Sequence, residues 1–185
     1  METPEFTAAK ESGELVANMN RAPLLVTPDG VIGQSKAMER FLAKRFGLMG
    51  KDAVQEAMID CVAEHCRDIK DAERKKGFSF FARDKTEEEK KALREEWYST
   101  DLPVWLKKLE DAVKVTSKAE GYAVGEELSY ADVAIFCLLK DCAPSDLEDS
   151  TKACEGCPTL SAVADNVAGN EKVSAWLKSR PETMF

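Results

Sequence analysis

The chain has 185 residues, 44% hydrophobic and 32% charged, with 10 Gly and 7 Pro. That is enough for one compact domain or two small ones, and the balance excludes disordered, collagenous and membrane chains. Acidic residues outnumber basic ones 34 to 26, a formal charge of -8, which opposes nucleic acid and anionic membrane surfaces as partners.

The N-terminus METPEF has neither a basic n-region nor an apolar h-region, so no secretory signal is read there. The apolar stretch VAIFCLL at 133–139 falls well short of the roughly 20 residues that cross a bilayer. A cytoplasmic address is expected, in which the six cysteines remain free thiols.

In chain order, residues 3–11 predict a short helix and ESGELVANMN a loop. APLLVTPDGVIG predicts two short strands around a Pro-Asp-Gly turn. From Ser35, Met38, Phe41, Leu42 and Phe46 recur at helical spacing up to Gly50. Residues 51–75 place Val54, Met58, Cys61, Val62 and Ile69 on one broad face, and 86–118 continue with Leu93, Trp97, Leu106, Leu109 and Val113 across a kink expected at Pro103. Ser129 opens a helix that is apolar nearly all round, as the buried centre of a bundle would be, and short helices follow at 158–168 and 171–179. The fold class expected is mostly α with a small α/β part. The boundary falls near Gly50, giving domains 1–49 and 50–185.

Several local patterns bear on chemistry. Gln34-Ser35 sits where a strand gives way to a helix, so unpaired N–H groups and the helix dipole favour a carboxylate there. From spacing alone, Ser35 reads first as a plain N-cap. Ala22-Pro23 reads from sequence as an ordinary proline opening an edge strand. Ser129-x-x-Asp132 is a reciprocal helix cap and is read as structural. Cys154-Glu-Gly-Cys157 is a CxxC, but it precedes a late helix of an all-α region and lacks the paired ligand spacing of a zinc site. It is read as a structural or incidental pair, and no metal site is expected. A single histidine, His65, inside a predicted helix argues against a hydrolase triad. Arg74-Lys75-Lys76 is read as a solvated helix end, and Phe78, Phe80 and Phe81 as an anchor for a helix connection.

Taken together, Ala22-Pro23-Leu24-Leu25, Gly33-Gln34-Ser35-Lys36-Ala37-Met38, Leu128-Ser129-Tyr130-Ala131-Asp132 and the terminal AWLKSRPETMF occur in the order found in one family. The chain resembles a cytosolic glutathione transferase, nearest the sigma-like class that includes prostaglandin D synthases and S-crystallins. The resemblance implies a partial thioredoxin-like domain followed by an all-helical domain, with glutathione as substrate and no metal required. It implies that Gln34 and Ser35 hold the γ-glutamyl end of glutathione. Ala22, before a cis Pro23, would pair with the cysteinyl part as an added strand. Phe6 and Lys10 correspond to an aromatic-x-x-x-Lys pair at the glycyl carboxylate, with Phe in place of the usual Trp; a solvated helix lysine is the other reading. Asp68 corresponds to an acidic residue that reaches the partner's glutathione in a homodimer, although a charged helix face fits it as well.

In the family, a Tyr or Ser hydroxyl at the end of the first strand stabilises the glutathione thiolate. That strand would lie well upstream of Phe6, so no catalytic residue is expected in this chain, and the first two strands of the sheet are expected to be absent. Two functions stay open. One is an enzyme that conjugates or isomerises small hydrophobic electrophiles with glutathione; the other is a non-catalytic, S-crystallin-like binding or structural protein.

Overall fold

Thr3 opens the first helix by accepting the Phe6 N–H at 3.3 Å, and Pro4 occupies a first-turn position that has no use for an N–H. This helix, α1, spans Pro4–Glu11. The segment expected as loop then contains a 3-10 turn, Val16–Asn18, followed by Met19 and Asn20 in the left-handed region at φ +54° and +60°. Strands β1 (Leu24–Thr27) and β2 (Gly30–Gly33) pair antiparallel, with Leu24 opposite Gly33 and Thr27 opposite Gly30. Pro28 and Asp29 form the connection. Helix α2 (Ser35–Arg45) buries Met38 and Ala43, whereas Leu42 and Phe46 of its expected face are exposed. Two strands cover only a narrow strip of such a helix.

The computed structural model describes residues 3–79, 82–140 and 144–181, which separate into two compact units, Met1–Leu48 and Met49–Phe185. Phe80, Phe81, Cys142 and the end of the terminal motif lie outside the described residues. None of the described helices is long and apolar enough to cross a membrane.

The second unit is helical. Asp52 accepts the N–H groups of Val54 and Gln55, each at 2.9 Å, and so starts α3 (Ala53–Lys76). Its buried face is Ile59, Val62, Ala63, Cys66 and Ile69. That overturns part of the expected face: Val62 and Ile69 are inside, but Val54, Met58 and Cys61 are exposed. The helix carries two apolar stripes about 100° apart, and packing against α6 selects one of them. At its end, Arg74 and Lys75 are exposed as expected. Lys76 is not a solvated lysine; it pairs with Asp101 at 2.6 Å and Glu96 at 2.9 Å.

Residues 86–118 form two helices. A Thr86–Glu89 capping box starts α4 (Glu87–Glu96), a π turn spans Trp97–Asp101, and α5 runs from Leu102 to Thr116. Pro103 has no N–H to give the preceding turn, and its ring would crowd the carbonyl four residues back. The wider turn just before it relieves both, so the distortion falls N-terminal to the proline. Phe78 packs against Tyr98 with ring centroids 6.4 Å apart.

At the centre lies α6 (Tyr130–Leu139), which packs on α3 and on α8 (Pro158–Gly169). Leu106, Val113, Ile135, Leu160 and Val163 are fully buried around it, the larger of them contributing about 1.5–3 kcal/mol each. Helix α7 (Pro144–Ala153) was not expected from the sequence. It is polar and is held from outside: Arg94 pairs with Asp146 at 2.7 Å and Asp149 at 2.8 Å, and Ser150 donates to the Leu139 carbonyl. Helix α9 (Glu171–Ser179) begins at an Asn170 cap.

Two buried carboxylates organise this unit. Asp132 accepts the Ser129 N–H and the Ala123 N–H, each at 2.7 Å, so it caps α6 and also ties down the incoming loop. Burial pushes its carboxyl above the usual range, against the pull of these hydrogen bonds. Glu110, on α5, accepts the N–H groups of Thr159 (3.1 Å) and Leu160 (2.9 Å) and pairs with Lys114 at 3.0 Å. It caps α8 from a distance, and the Cys157 side chain at the cap position makes no such bond. Burial raises the Glu110 carboxyl, but the bonds from Leu160, Thr159 and Lys114 outweigh it and hold the group below its ordinary value.

Replacing Asp132 with Ala leaves two N–H groups without their acceptor and is expected to cost about 3 kcal/mol, read by a denaturant melt. Glu110→Gln should also destabilise the fold. Because Glu110 titrates lower in the folded state, its contribution is present above the unfolded carboxylate value and is lost as pH falls below it. Melts at neutral pH and at successively lower pH should therefore show the gap between wild type and Glu110→Gln narrowing with acidification.

Candidate functional site

The β2–α2 corner is built around a side chain from the preceding turn. Asn18 is 5% exposed. Its amide nitrogen donates to the carbonyls of Arg21 and Pro23, both at 3.0 Å, and its oxygen accepts the Gln34 N–H at 3.1 Å. Three parts of the chain are thereby tied together: the turn at Val16–Asn18, the Ala22–Pro23 bond, which is cis, and the start of α2. Gly33 makes room for this arrangement, since a Cβ there would lie 2.8 Å from the Asn18 Cβ and 2.9 Å from the Ala17 carbonyl oxygen.

Gln34 itself sits at φ +66°, ψ 114°, outside both the right-handed and left-handed helical basins. A non-glycine residue held there is strained and is characteristic of ligand-clamping positions. Ser35 is the first residue of α2 and Gln34 is the cap, so the plain N-cap reading of Ser35 is overturned; no side chain caps the helix. The carbonyl of Gln34 accepts from Ala37 and Met38. The N–H groups of Ser35 and Lys36, and the side chains of Gln34 and Ser35, have no partner among the described residues. An exposed corner with an uncapped helix start and an unused hydroxyl is equipped to bind a small anion.

The remaining candidates fall elsewhere. Phe6 and Lys10 lie together on α1, with the Lys10 ammonium 4.8 Å above the Phe6 ring. Asp68 belongs to the second unit, on the exposed side of α3. The CxxC pair is buried. Burial pushes both thiols up, Cys157 to about 11 with help from the neighbouring Cys154, so neither supplies thiolate at neutral pH. No group of three or more His, Cys, Asp and Glu side chains among the described residues is arranged to hold a metal. The residue that sequence reasoning missed is Asn18. A single Asn in a polar loop has no periodicity, and only its distance from Gln34 in the folded chain reveals its role.

Across the second unit, residues 70–180 match the model of the glutathione S-transferase C-terminal domain. The chain belongs to the glutathione S-transferase family. The probable glutathione S-transferase 8 of Caenorhabditis elegans is 30% identical over 169 residues, covering 88% of this chain and 75% of the relative. S-crystallin 4 of Enteroctopus dofleini is 28% identical, over 83% of this chain and 72% of its own. A monomeric glutathione S-transferase from the hookworm Necator americanus superposes with a TM-score of 0.73 at 25% identity, covering 97% of this chain and 83% of the other. The hairpin with its flanking helices is thus the thioredoxin-like part of a transferase fold, and the helical unit is its C-terminal domain. The sigma-like relationship read from the motifs agrees with the S-crystallin relative.

In this family member, Asn18→Ala removes one acceptor and two donors at the corner and is expected to destabilise the first unit by about 2 kcal/mol. Hydrogen exchange should speed up at the Gln34 amide and across residues 16–35. Amides in the α5–α8 core should keep their protection.

Proposed function

We propose that this chain binds glutathione at the Gln34–Ser35 corner and acts as a glutathione transferase on small hydrophobic electrophiles. The observation that carries the reading is the uncapped start of α2, where the N–H of Ser35 and its hydroxyl stand beside a strained Gln34 whose own N–H is already taken by Asn18. A carboxylate there would receive charge-assisted bonds from the Ser35 N–H and hydroxyl. Ala22, next to the cis Pro23, would offer its backbone to the cysteinyl part as an added strand. Lys10 beside Phe6 would meet the glycyl carboxylate, and Asp68 would reach the ammonium group of glutathione bound to a second copy in a homodimer. We place the protein in the cytoplasm, in keeping with its acidic balance and free thiols.

A second reading, a binding or structural protein without turnover, is favoured by the S-crystallin relative. Retention on glutathione-agarose and conjugation of chlorodinitrobenzene separate the two. Retention with turnover fits a transferase; retention without turnover fits the crystallin-like protein; no retention overturns the site itself. Ser35→Ala should weaken glutathione binding about tenfold in calorimetric titration, the loss of one charge-assisted hydrogen bond.

A further inference from the structure

We propose that strand β1 pairs with β1 of a second copy of this chain about a two-fold axis, joining the two hairpins into one four-stranded antiparallel sheet. In a hairpin with a two-residue connection, the residues flanking the turn exchange hydrogen bonds, and every second pair beyond them does the same. Thr27 lies opposite Gly30 and Leu25 opposite Ile32, so these residues turn their N–H and C=O groups toward each other inside the hairpin. The bonds from Asn18 to the Pro23 carbonyl and from the Gln34 N–H to Asn18 close the next position of the same alternation. Leu24 and Val26 therefore turn their N–H and C=O groups outward. These groups have no hydrogen-bond partner among the described residues.

The edge lacks the features that usually keep sheet edges apart. Leu24-Leu25-Val26-Thr27 carries no charge and no proline, and it pairs with β2 without a bulge. Val26 is 74% exposed and Val31, directly across from it, is 46% exposed, so one face of the hairpin is apolar at the surface. A two-stranded sheet is marginal in water, and further strands with an apolar face stabilise it.

The register selects a second copy as the occupant. With Leu25 on the two-fold axis, Leu24 of each chain faces Val26 of the other, and every outward N–H of the strand meets an outward C=O. Leu24 and Val26 of both chains then share the exposed apolar face. The match comes from the strand's own length and alternation, and a two-fold contact of this kind closes on itself. Ala22 falls opposite the partner's Pro28, which has no N–H to give, so the ladder stops short of the residue that would pair with glutathione. Asp68 belongs to the second unit, so a copy held through α3 and a copy held at β1 use different surfaces.

Hydrogen exchange of the full chain, followed residue by residue by NMR at low and high protein concentration, tests the pairing together with sedimentation equilibrium. The Leu24 and Val26 amides are expected to slow about tenfold or more as the chain associates, while the Leu25 amide keeps one rate. Val26→Lys, a charge at an exposed edge position, should abolish the slowing and at least halve the associated mass, with its thermal melt at the wild-type value. Val26→Thr should keep the slowing. Asp68→Ala should keep it too, which separates this contact from one made through α3. Slow exchange at both concentrations would mean that the edge is covered within one chain, and fast exchange at both that nothing pairs there. Either result, or a Val26→Lys mass equal to wild type, would overturn the proposal.

Discussion

A backbone N–H that a turn or helix start leaves without a partner must find an acceptor once it is buried, at a cost of about 1–3 kcal/mol if it does not. Three side chains meet this demand. Asn18 takes the Gln34 N–H in the first unit; in the second, Asp132 takes those of Ser129 and Ala123, and Glu110 those of Thr159 and Leu160. Each joins segments that packing alone would leave free to slide. Among the described residues, no buried side-chain nitrogen or oxygen is left unpaired, so the elements are positioned by polar bonds as well as by apolar burial. The Gln34–Ser35 corner is the exception that proves useful, because there the exposed N–H groups remain available.

Environment separates chemically similar groups. Asp132 and Glu110 are both fully buried, yet they titrate in opposite directions. At Glu110 the bonds from Leu160 and Thr159, joined by Lys114, outweigh desolvation, whereas at Asp132 desolvation outweighs the bonds from Ser129 and Ala123. The cysteines divide in the same way. Cys154 and Cys157 share a motif often linked to redox chemistry, but burial keeps them protonated. Cys61 belongs to no sequence motif and is exposed, with its sulfur 3.4 Å from Nε2 of His65.

Much of the architecture was legible because it depends on short-range patterns. The hairpin follows from two apolar runs around Pro-Asp-Gly, α6 from an unbroken apolar stretch behind Ser129-x-x-Asp132, and the starts of α8 and α9 from local signals. The stripe of α3 that is buried was only half legible, since Val54, Met58 and Cys61 have the same spacing as residues that are inside. Helix α7 was not legible at all. Its apolar content is low, and the Arg94 that anchors it lies some fifty positions earlier in the chain.

The candidate site divides along the same line. Ala22, Pro23, Gln34 and Ser35 are visible as motifs, because a turn and a helix start carry their signatures within a few residues. The sequence by itself determined the family, the two-part organisation expected of it, and where an anion could meet a helix start. Tertiary structure alone decided that Asn18 holds the corner, that Ser35 begins the helix and leaves its hydroxyl free, and that Glu110 caps a helix 49 positions away. These are contacts between residues distant in the chain, and local propensity carries no record of them.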